Sequence, residues 1–302
     1  MRTDLTQDLP DSPGVYLFYG VSDELLYVGK SKTIRTRVRS HFASREEGPM
    51  CRRVRRVEAR QTAGELGALL LELQLIKSLR PMYNIRSRQT RRIVVARLVK
   101  TAGSYSTIAL EAISNINPSH MAPFMAIFKT KTQAKEYLAS IVRTHGLCSR
   151  LLGLERTNRH CFSFHLGQCK GACMGEEDPA AYNARFEAAF ADRRIKAWPF
   201  EGGVIIEERG ENNNQGEVFI VDHWCLVYSF KYSLDRFELN VRGVHHFDYD
   251  SYKTLCGYIL DDAHRLHIRT ITRKDMDLFI RDRSSVRPAR IADLLAKTTV
   301  AV

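Results

Sequence analysis

Residues 14–20 and 25–29 gather Val, Leu, Phe and Tyr on either side of the polar stretch Val21-Ser-Asp-Glu24, which predicts two short strands in a hairpin. From residue 33 to 42, Ile34, Val38 and Phe42 recur at i, i+4, i+8 and define one helical face, with Arg35 and Arg39 turned away. Residues 57–62 predict a third strand. Residues 64–79 read as a strongly apolar helix that stops before Pro81, because the residue preceding a proline is pushed out of the α region. These elements make an α/β unit of about 90 residues.

Residues 93–99 and 106–113 predict further strands, and 132–145 a helix that Gly146 can terminate. A cysteine-rich loop follows, then a helix over 179–195 with proline at its start. After Trp198-Pro199 the texture turns to strands, at 204–207, 217–221 and 225–230, with a helix near 251–264. The tail beyond Arg283 reads as a short helix or a mobile end. The expected class is α+β in three parts: an α/β domain over 1–95, linker strands, helices and a Cys-rich helical region over 96–197, and an α+β domain over 198–302.

Charge adds a direction to this frame. The whole chain carries +12, yet residues 30–100 alone hold 19 Lys and Arg against 5 Glu and no Asp, leaving about −2 elsewhere. A basic face concentrated in one third of the chain points to a polyanion, with a solvated surface as the bland alternative. Composition is that of an ordinary folded protein. The longest apolar run, near Gly67, is broken by Glu72 and is too short to span a bilayer, and the polar N-terminus is unlike a signal peptide. A cytoplasmic location is expected, without membrane contact.

Seven cysteines without a secretion signal argue against a disulfide framework. Four of them, Cys148, Cys161, Cys169 and Cys173, lie within 26 residues, a density that points to ligation of Zn²⁺ or an iron–sulfur cluster. The two Cys-x₂-Cys knuckles usual in a zinc ribbon are absent.

The N-terminal unit holds the candidate chemistry. Gly14-Val-Tyr16 and Tyr27-Val-Gly29-Lys30 sit on the paired strands, so Tyr16 and Tyr27 should approach, and a sharp turn at Gly29 should start the helix bearing Arg37. Glu72 interrupts the apolar helix. A carboxylate there is costly unless it meets water, a partner or a metal; by itself, it also reads as a narrow exposed stripe. Tyr16 and Tyr27 taken singly are packing residues, and Arg37 a surface charge.

Taken together, Gly-Val-Tyr, Tyr-Val-Gly-Lys, Arg37, Glu72 and Asn84 in this order resemble the GIY-YIG nuclease domain, over about residues 11–90. Ser12-Pro-Gly-Val-Tyr16 and Glu72-Leu-Gln-Leu-Ile-Lys77 are similar to the UvrC family. Ser40-His-Phe42 and Gly64-Glu-Leu-Gly-Ala-Leu-Leu-Leu-Glu72 are closer to its Cho branch. Leu151-Leu-Gly-Leu-Glu155, Gly171-Ala-Cys173 and the stretch from Phe247 to Cys256 extend the likeness to nearly the whole chain.

The resemblance implies a metal-dependent endonuclease of nucleotide excision repair, cutting 3′ of a lesion in double-stranded DNA marked by UvrA and UvrB. Glu72 would hold Mg²⁺ or Mn²⁺, and Tyr16 would deprotonate water with its pKa lowered by Lys30, the metal or phosphate-bound water. Tyr27 would orient water or the leaving group, Arg37 would brace the phosphate, and Asn84 would fix the backbone or touch phosphate. Lys32, Arg35, Arg39, Arg86, Arg88, Arg91 and Arg92 would bind DNA, and the four cysteines would hold a structural [4Fe–4S] cluster.

Two positions depart from UvrC: His41 stands where Tyr is frequent, and Gly67 where an acid is frequent. His41 would contact phosphate or pack. Asp222-His223, Asp248, Asp250, Asp261 and Asp262 are a weak second metal site; Asp248 or Asp250 reads better as a helix cap. The C-terminal part would position DNA or a partner. A free-standing nuclease on branched or foreign DNA and an inactive DNA-binding module remain the alternatives.

Overall fold

Gly14–Tyr19 (β1) and Leu25–Ser31 (β2) form the expected antiparallel hairpin in the computed structural model. It describes residues 5–85, 93–113, 124–210, 215–233, 236–242 and 247–281. Arg56–Gln61 (β3) pairs with the other edge of β1, giving the sheet order β2-β1-β3. Both pairings of β1 are antiparallel, and β1 is buried on both faces, so it has no polar alternation.

One face of β1, with Tyr16 and Phe18, packs on Ile34 and Val38 of the helix Ile34–Ala43 (α1) and on Met50 and Cys51 of the short helix Gly48–Cys51 (α2). The other face, with Val15 and Leu17, packs on Leu75 and Ile76 of the helix Glu65–Leu79 (α3). Arg80 closes α3 in the left-handed region at φ 51°. The predicted stripe around α3 is thus explained by burial against a sheet.

The two strands expected at the start of the central region form a sheet with a third. Ile93–Lys100 (β4) lies between Ser106–Ile113 (β5) and Phe124–Phe128 (β6), the last a strand that the pattern did not predict. Lys131–His145 (α4) ends at Gly146, whose φ of 61° suits a residue without Cβ. The four-residue helix Phe162–His165 (α5) lies among the cysteines, and Pro179–Phe190 (α6) stops short of the predicted residue 195.

The C-terminal part builds a five-stranded antiparallel sheet from Gly203–Arg209 (β7), Gly216–Asp222 (β8), Cys225–Ser233 (β9), Arg236–Arg242 (β10) and Ile268–Ile271 (β11). Its order is β10-β9-β8-β7-β11, so both unpredicted strands, β10 and β11, are edges. Two helices, Tyr249–Ile259 (α7) and Arg273–Arg281 (α8), complete it. Asp248 caps α7, accepting from Ser251 N at 2.9 Å. Asp222 is buried and accepts from Arg273 at 2.5 Å, an ion pair rather than an open metal ligand.

Two compact units result: residues 1–90 together with 198–302, and residues 91–197. Among the described residues, no helix is long and apolar enough to cross a membrane.

Candidate active site and cysteine cluster

The β1–β2 register sets Phe18 opposite Tyr27 and Tyr16 opposite Gly29. The Tyr16 and Tyr27 rings lie 6.2 Å apart, as the paired strands predict. Gly29, however, does not make the turn into α1: it lies inside β2, and the turn follows at Ser31 to Thr33, where Ser31 Oγ accepts from Thr33 N at 3.0 Å. Glycine is required at 29 for another reason. A Cβ there would run into the Tyr16 hydroxyl, so the missing side chain makes room for that phenol.

Tyr16 is only 1% exposed. Its hydroxyl lies 2.6 Å from His41 Nε2, and His41 Nδ1 lies 2.5 Å from Glu47 Oε2. An ionised carboxylate only accepts, so Nδ1 carries the imidazole proton and Nε2 is left to accept from Tyr16. Burial lowers the pKa of His41 below its usual 6.5, against the pull of Glu47. The ring sits edge-on to Tyr16, Phe18 and Tyr27, and Cys51 Sγ donates to its backbone carbonyl at 3.3 Å. An imidazole with no exposed surface is out of reach of a phosphate, which corrects one of the two roles expected for His41.

Of the groups expected to lower the pKa of Tyr16, Lys30 does not do so. Burial, with Tyr27 adding to it, holds the Tyr16 phenol well above its ordinary value. Lys30 does not oppose this: its ammonium is paired with Glu65 at 2.9 Å. Arg37 does approach the Tyr16 hydroxyl and pulls the other way. Arg37 is otherwise exposed and touches Ser40 Oγ only at 3.5 Å.

Glu72 projects from α3 towards β2, where its Oε1 accepts from Lys30 N at 3.1 Å. Burial raises its carboxyl above the usual range, the backbone N–H of Lys30 working against that. Beside it, a cavity of about 330 Å³ is lined by Leu69, Glu72 and Leu73 of α3 and by Asp250, Lys253 and Thr254 of α7. Asn84 does not reach this cavity through its amide; both ends of the amide hold β2, Oδ1 accepting from Val28 N at 2.9 Å and Nδ2 donating to Val28 O at 2.8 Å. It continues the strand's pairing like a backbone group.

Of the expected DNA-binding residues, Lys32 pairs with Glu65 at 2.7 Å while staying largely exposed. Arg35 donates to Leu9 O at 2.6 Å and is half-buried, so it ties down the N-terminal segment. Arg39 is exposed, with Nε donating to Thr6 at 3.2 Å. Arg86, Arg88, Arg91 and Arg92 lie outside the described residues. Sequence reasoning missed Glu47 and Glu65. Glu65 had a signal, an acid in the first turn of a helix; Glu47 had none, because its partner is fixed by a turn.

The four cysteines come together in the other unit. The sulfurs of Cys148, Cys161 and Cys173 lie within 4.8 Å of one another. Hydrogen bonds from the Cys148 and Cys161 thiols, with the N–H groups of Gly171 and Ala172, pull Cys169 below its ordinary value against its burial. Cys148, Cys161 and Cys169 are buried and Cys173 is half-buried. Among the described residues this is the one group of three or more side chains that could hold a metal ion.

Family models match three consecutive stretches: a UvrC-like GIY-YIG domain at 12–85, the UvrC/Cho excinuclease middle domain at 99–192, and the excinuclease Cho C-terminal domain at 203–275. Excinuclease Cho of Salmonella typhi is 36% identical over 86% of this chain and 87% of its own length, and that of Escherichia coli K12 is 34% identical over 86% of each. The UvrABC system protein C of Desulforudis audaxviator is 33% identical over 58% of this chain but 28% of its own length. The solved N-terminal endonuclease domain of UvrC from Thermotoga maritima, bound to magnesium, is 31% identical, covering 26% of this chain and 90% of that one, with a TM-score of 0.25. The chain belongs to the Cho family of UvrC-related excinucleases, with a GIY-YIG endonuclease domain at its N-terminus.

Proposed function

We propose that this chain nicks damaged double-stranded DNA, hydrolysing one phosphodiester on the 3′ side of a lesion marked by UvrA and UvrB. The observation that supports it best is the Tyr16–His41–Glu47 chain of hydrogen bonds, beside Arg37 and on the same hairpin that meets Glu72. Three domains, at 1–95, 96–197 and 198–302, and a cytoplasmic location go with this reading.

Glu72 fits a hard divalent cation. It offers a half-buried carboxylate oxygen beside an open cavity, and Mg²⁺ takes one or two carboxylates while keeping several waters. When bound there, Mg²⁺ or Mn²⁺ polarises the phosphate and offsets charge on the leaving oxygen. The protein's own groups do the rest. Tyr16 accepts a proton from the attacking water as it passes its own to His41 Nε2, so the net movement is one proton from water to imidazole. Glu47 holds Nδ1–H and stabilises the imidazolium that forms. Arg37 presents its fork to the equatorial oxygens, and Tyr27 orients the water or leaving group. Asn84 keeps β2 in place, and Lys30 sets Glu65 and, through its backbone N–H, Glu72. Lys32, Arg39 and the basic residues from 86 to 92 follow the DNA backbone.

The experiment is incision of an end-labelled duplex with one bulky lesion, in Mg²⁺, with and without UvrA and UvrB. A single 3′ nick that requires UvrB is the expected outcome. Cutting without UvrB would support the free-standing nuclease on branched or foreign DNA, and no cutting at all the inactive binding module.

At the cysteines, four converging thiols, three of them buried, with backbone donors suit a structural [4Fe–4S] cluster or tetrahedral Zn²⁺. Protein purified without oxygen is expected to contain iron and broad visible absorbance, both lost in Cys148→Ser. Zinc without iron selects the alternative, and neither metal ends the ligation reading.

A further inference from the structure

Helix α3 starts at Glu65 after Gly64, which has no side chain to cap it, so its first N–H groups need partners from elsewhere. They find them more than 140 residues away. Glu208 of β7 accepts from Leu66 N at 2.9 Å and from Gly67 N at 2.8 Å. Glu217 of β8, only 1% exposed, accepts from Ala63 N at 3.4 Å. Lys231 of β9 pairs with Glu217 at 3.5 Å and donates to Gln61 O at 2.6 Å. Burial raises both carboxyls, Glu217 to about 6; the N–H groups of Gly67 and Leu66 oppose that cost at Glu208, and Lys231 with the N–H of Ala63 opposes it at Glu217.

Gly67 now has a reason. A Cβ at 67 would run into the Glu217 carboxylate and come within 3.2 Å of Glu208 Oε2. Position 67 is left bare because the C-terminal sheet puts two acids beside it. At the other end of α3, Lys77 is paired with Asp248, the cap of α7. Between these ends, α7 supplies Asp250, Lys253 and Thr254 to the wall of the cavity at Glu72.

We propose that the C-terminal sheet is part of the nuclease centre, with Glu208 a positioning residue that caps α3 and so fixes where Glu72 stands relative to β2. Glu72 lies six residues beyond Leu66, about 9 Å along the axis at 1.5 Å per residue. A helix held by two backbone bonds at its start, and by Lys77–Asp248 near its end, cannot slide or turn without breaking one of them. The carboxylate charge at the positive end of the helix adds to the hold. This rests on Glu72 as the cation-binding residue.

The test measures Mn²⁺ binding to the full chain by the electron paramagnetic resonance signal of the free ion, together with kcat and KM for nicking. Wild type is compared with Glu208→Ala, Glu208→Gln and Glu72→Gln, and with Ile220→Val as a control that loosens the same sheet. Glu208→Ala is expected to weaken Mn²⁺ binding and lower kcat by about 10–100-fold with KM for DNA unchanged. Glu208→Gln, which keeps one accepting oxygen, should lose less, and Ile220→Val should lose neither.

Equal Mn²⁺ binding and kcat in wild type and both Glu208 variants would overturn the proposal, whatever their melting temperatures. If the alanine variant does not fold, the isosteric glutamine variant decides on its own, any loss of Mn²⁺ binding supporting the proposal and none overturning it. If Glu72→Gln binds Mn²⁺ as wild type does, the metal reading of Glu72 has failed, and the kcat of the Glu208 variants then judges the cap separately.

Discussion

Tyr16→Phe is expected to slow phosphodiester cleavage by about 10²–10⁴-fold, the usual contribution of a positioned acid–base group. The ring stays where it is, packed 5.3 Å from Phe18 and 6.2 Å from Tyr27, so DNA binding should not change. Removing the hydroxyl leaves His41 Nε2 buried without its partner, at a cost of about 1–3 kcal/mol. The melting temperature therefore falls modestly while the rate collapses, and single-turnover kinetics beside calorimetry separate the two. His41→Ala should fall to a comparable rate if imidazole is the proton's destination. A rate near wild type in His41→Ala would return Tyr16 to acting alone.

The same relay has a pH signature. His41 works only while neutral, and burial keeps its pKa below 6.5, so the acid limb of the rate should lie below pH 6.5. The groups facing it are Tyr16, Tyr27, Glu47, Arg37 and Cys51. Of these, Glu47 raises the imidazole's pKa and Arg37 lowers it. Removing the carboxylate in Glu47→Gln should therefore move the limb further to acid while lowering the plateau. Stability has the same sign: the depressed His41 pKa contributes stability present above pH 6.5, lost as pH falls through the folded value.

The second large effect is at Glu72. Glu72→Gln should cost at least about 10²–10³-fold in rate, because the electrostatic stabilisation of the developing phosphate charge goes with the cation. Stability should move the other way. Burial raises the folded pKa of Glu72, so its stabilising contribution is present at acid pH and lost as pH rises through that value. At neutral pH the ionised side chain costs stability. A neutral amide, still able to accept from Lys30 N, should raise the melting temperature without metal. Added Mg²⁺ should then stabilise wild type and leave the variant unmoved, since only a binding species gains by mass action.

What could be read in advance follows from distance along the chain. Tyr16, Tyr27, Lys30 and Arg37 lie within a hairpin and the helix after it, where period and turn chemistry act locally, and Glu72 announced itself as a carboxylate in an apolar helix. The role of Gly29 was misread because a glycine after a strand suggests a turn. Its real constraint is the Tyr16 hydroxyl on the neighbouring strand. Strands β6, β10 and β11 escaped notice as short or edge strands, whose one-sided pairing leaves a weak pattern. Glu208 lies in the polar run Glu207-Glu208-Arg209 and Glu217 follows Gly216, at strand ends where exposed acids are ordinary. Only the fold reveals that they face the start of α3, and only then does Gly67 look required rather than incidental.

The most direct measurement is the number of strand breaks per duplex made in Mg²⁺ by wild type and by Glu72→Gln, on one lesion-bearing DNA supplied with UvrA and UvrB. One Mg²⁺-dependent nick on the 3′ side, absent in the variant while its fold and DNA binding persist, is what this account predicts. Equal cutting by the two proteins, or cutting that survives chelation of divalent cations, would contradict it.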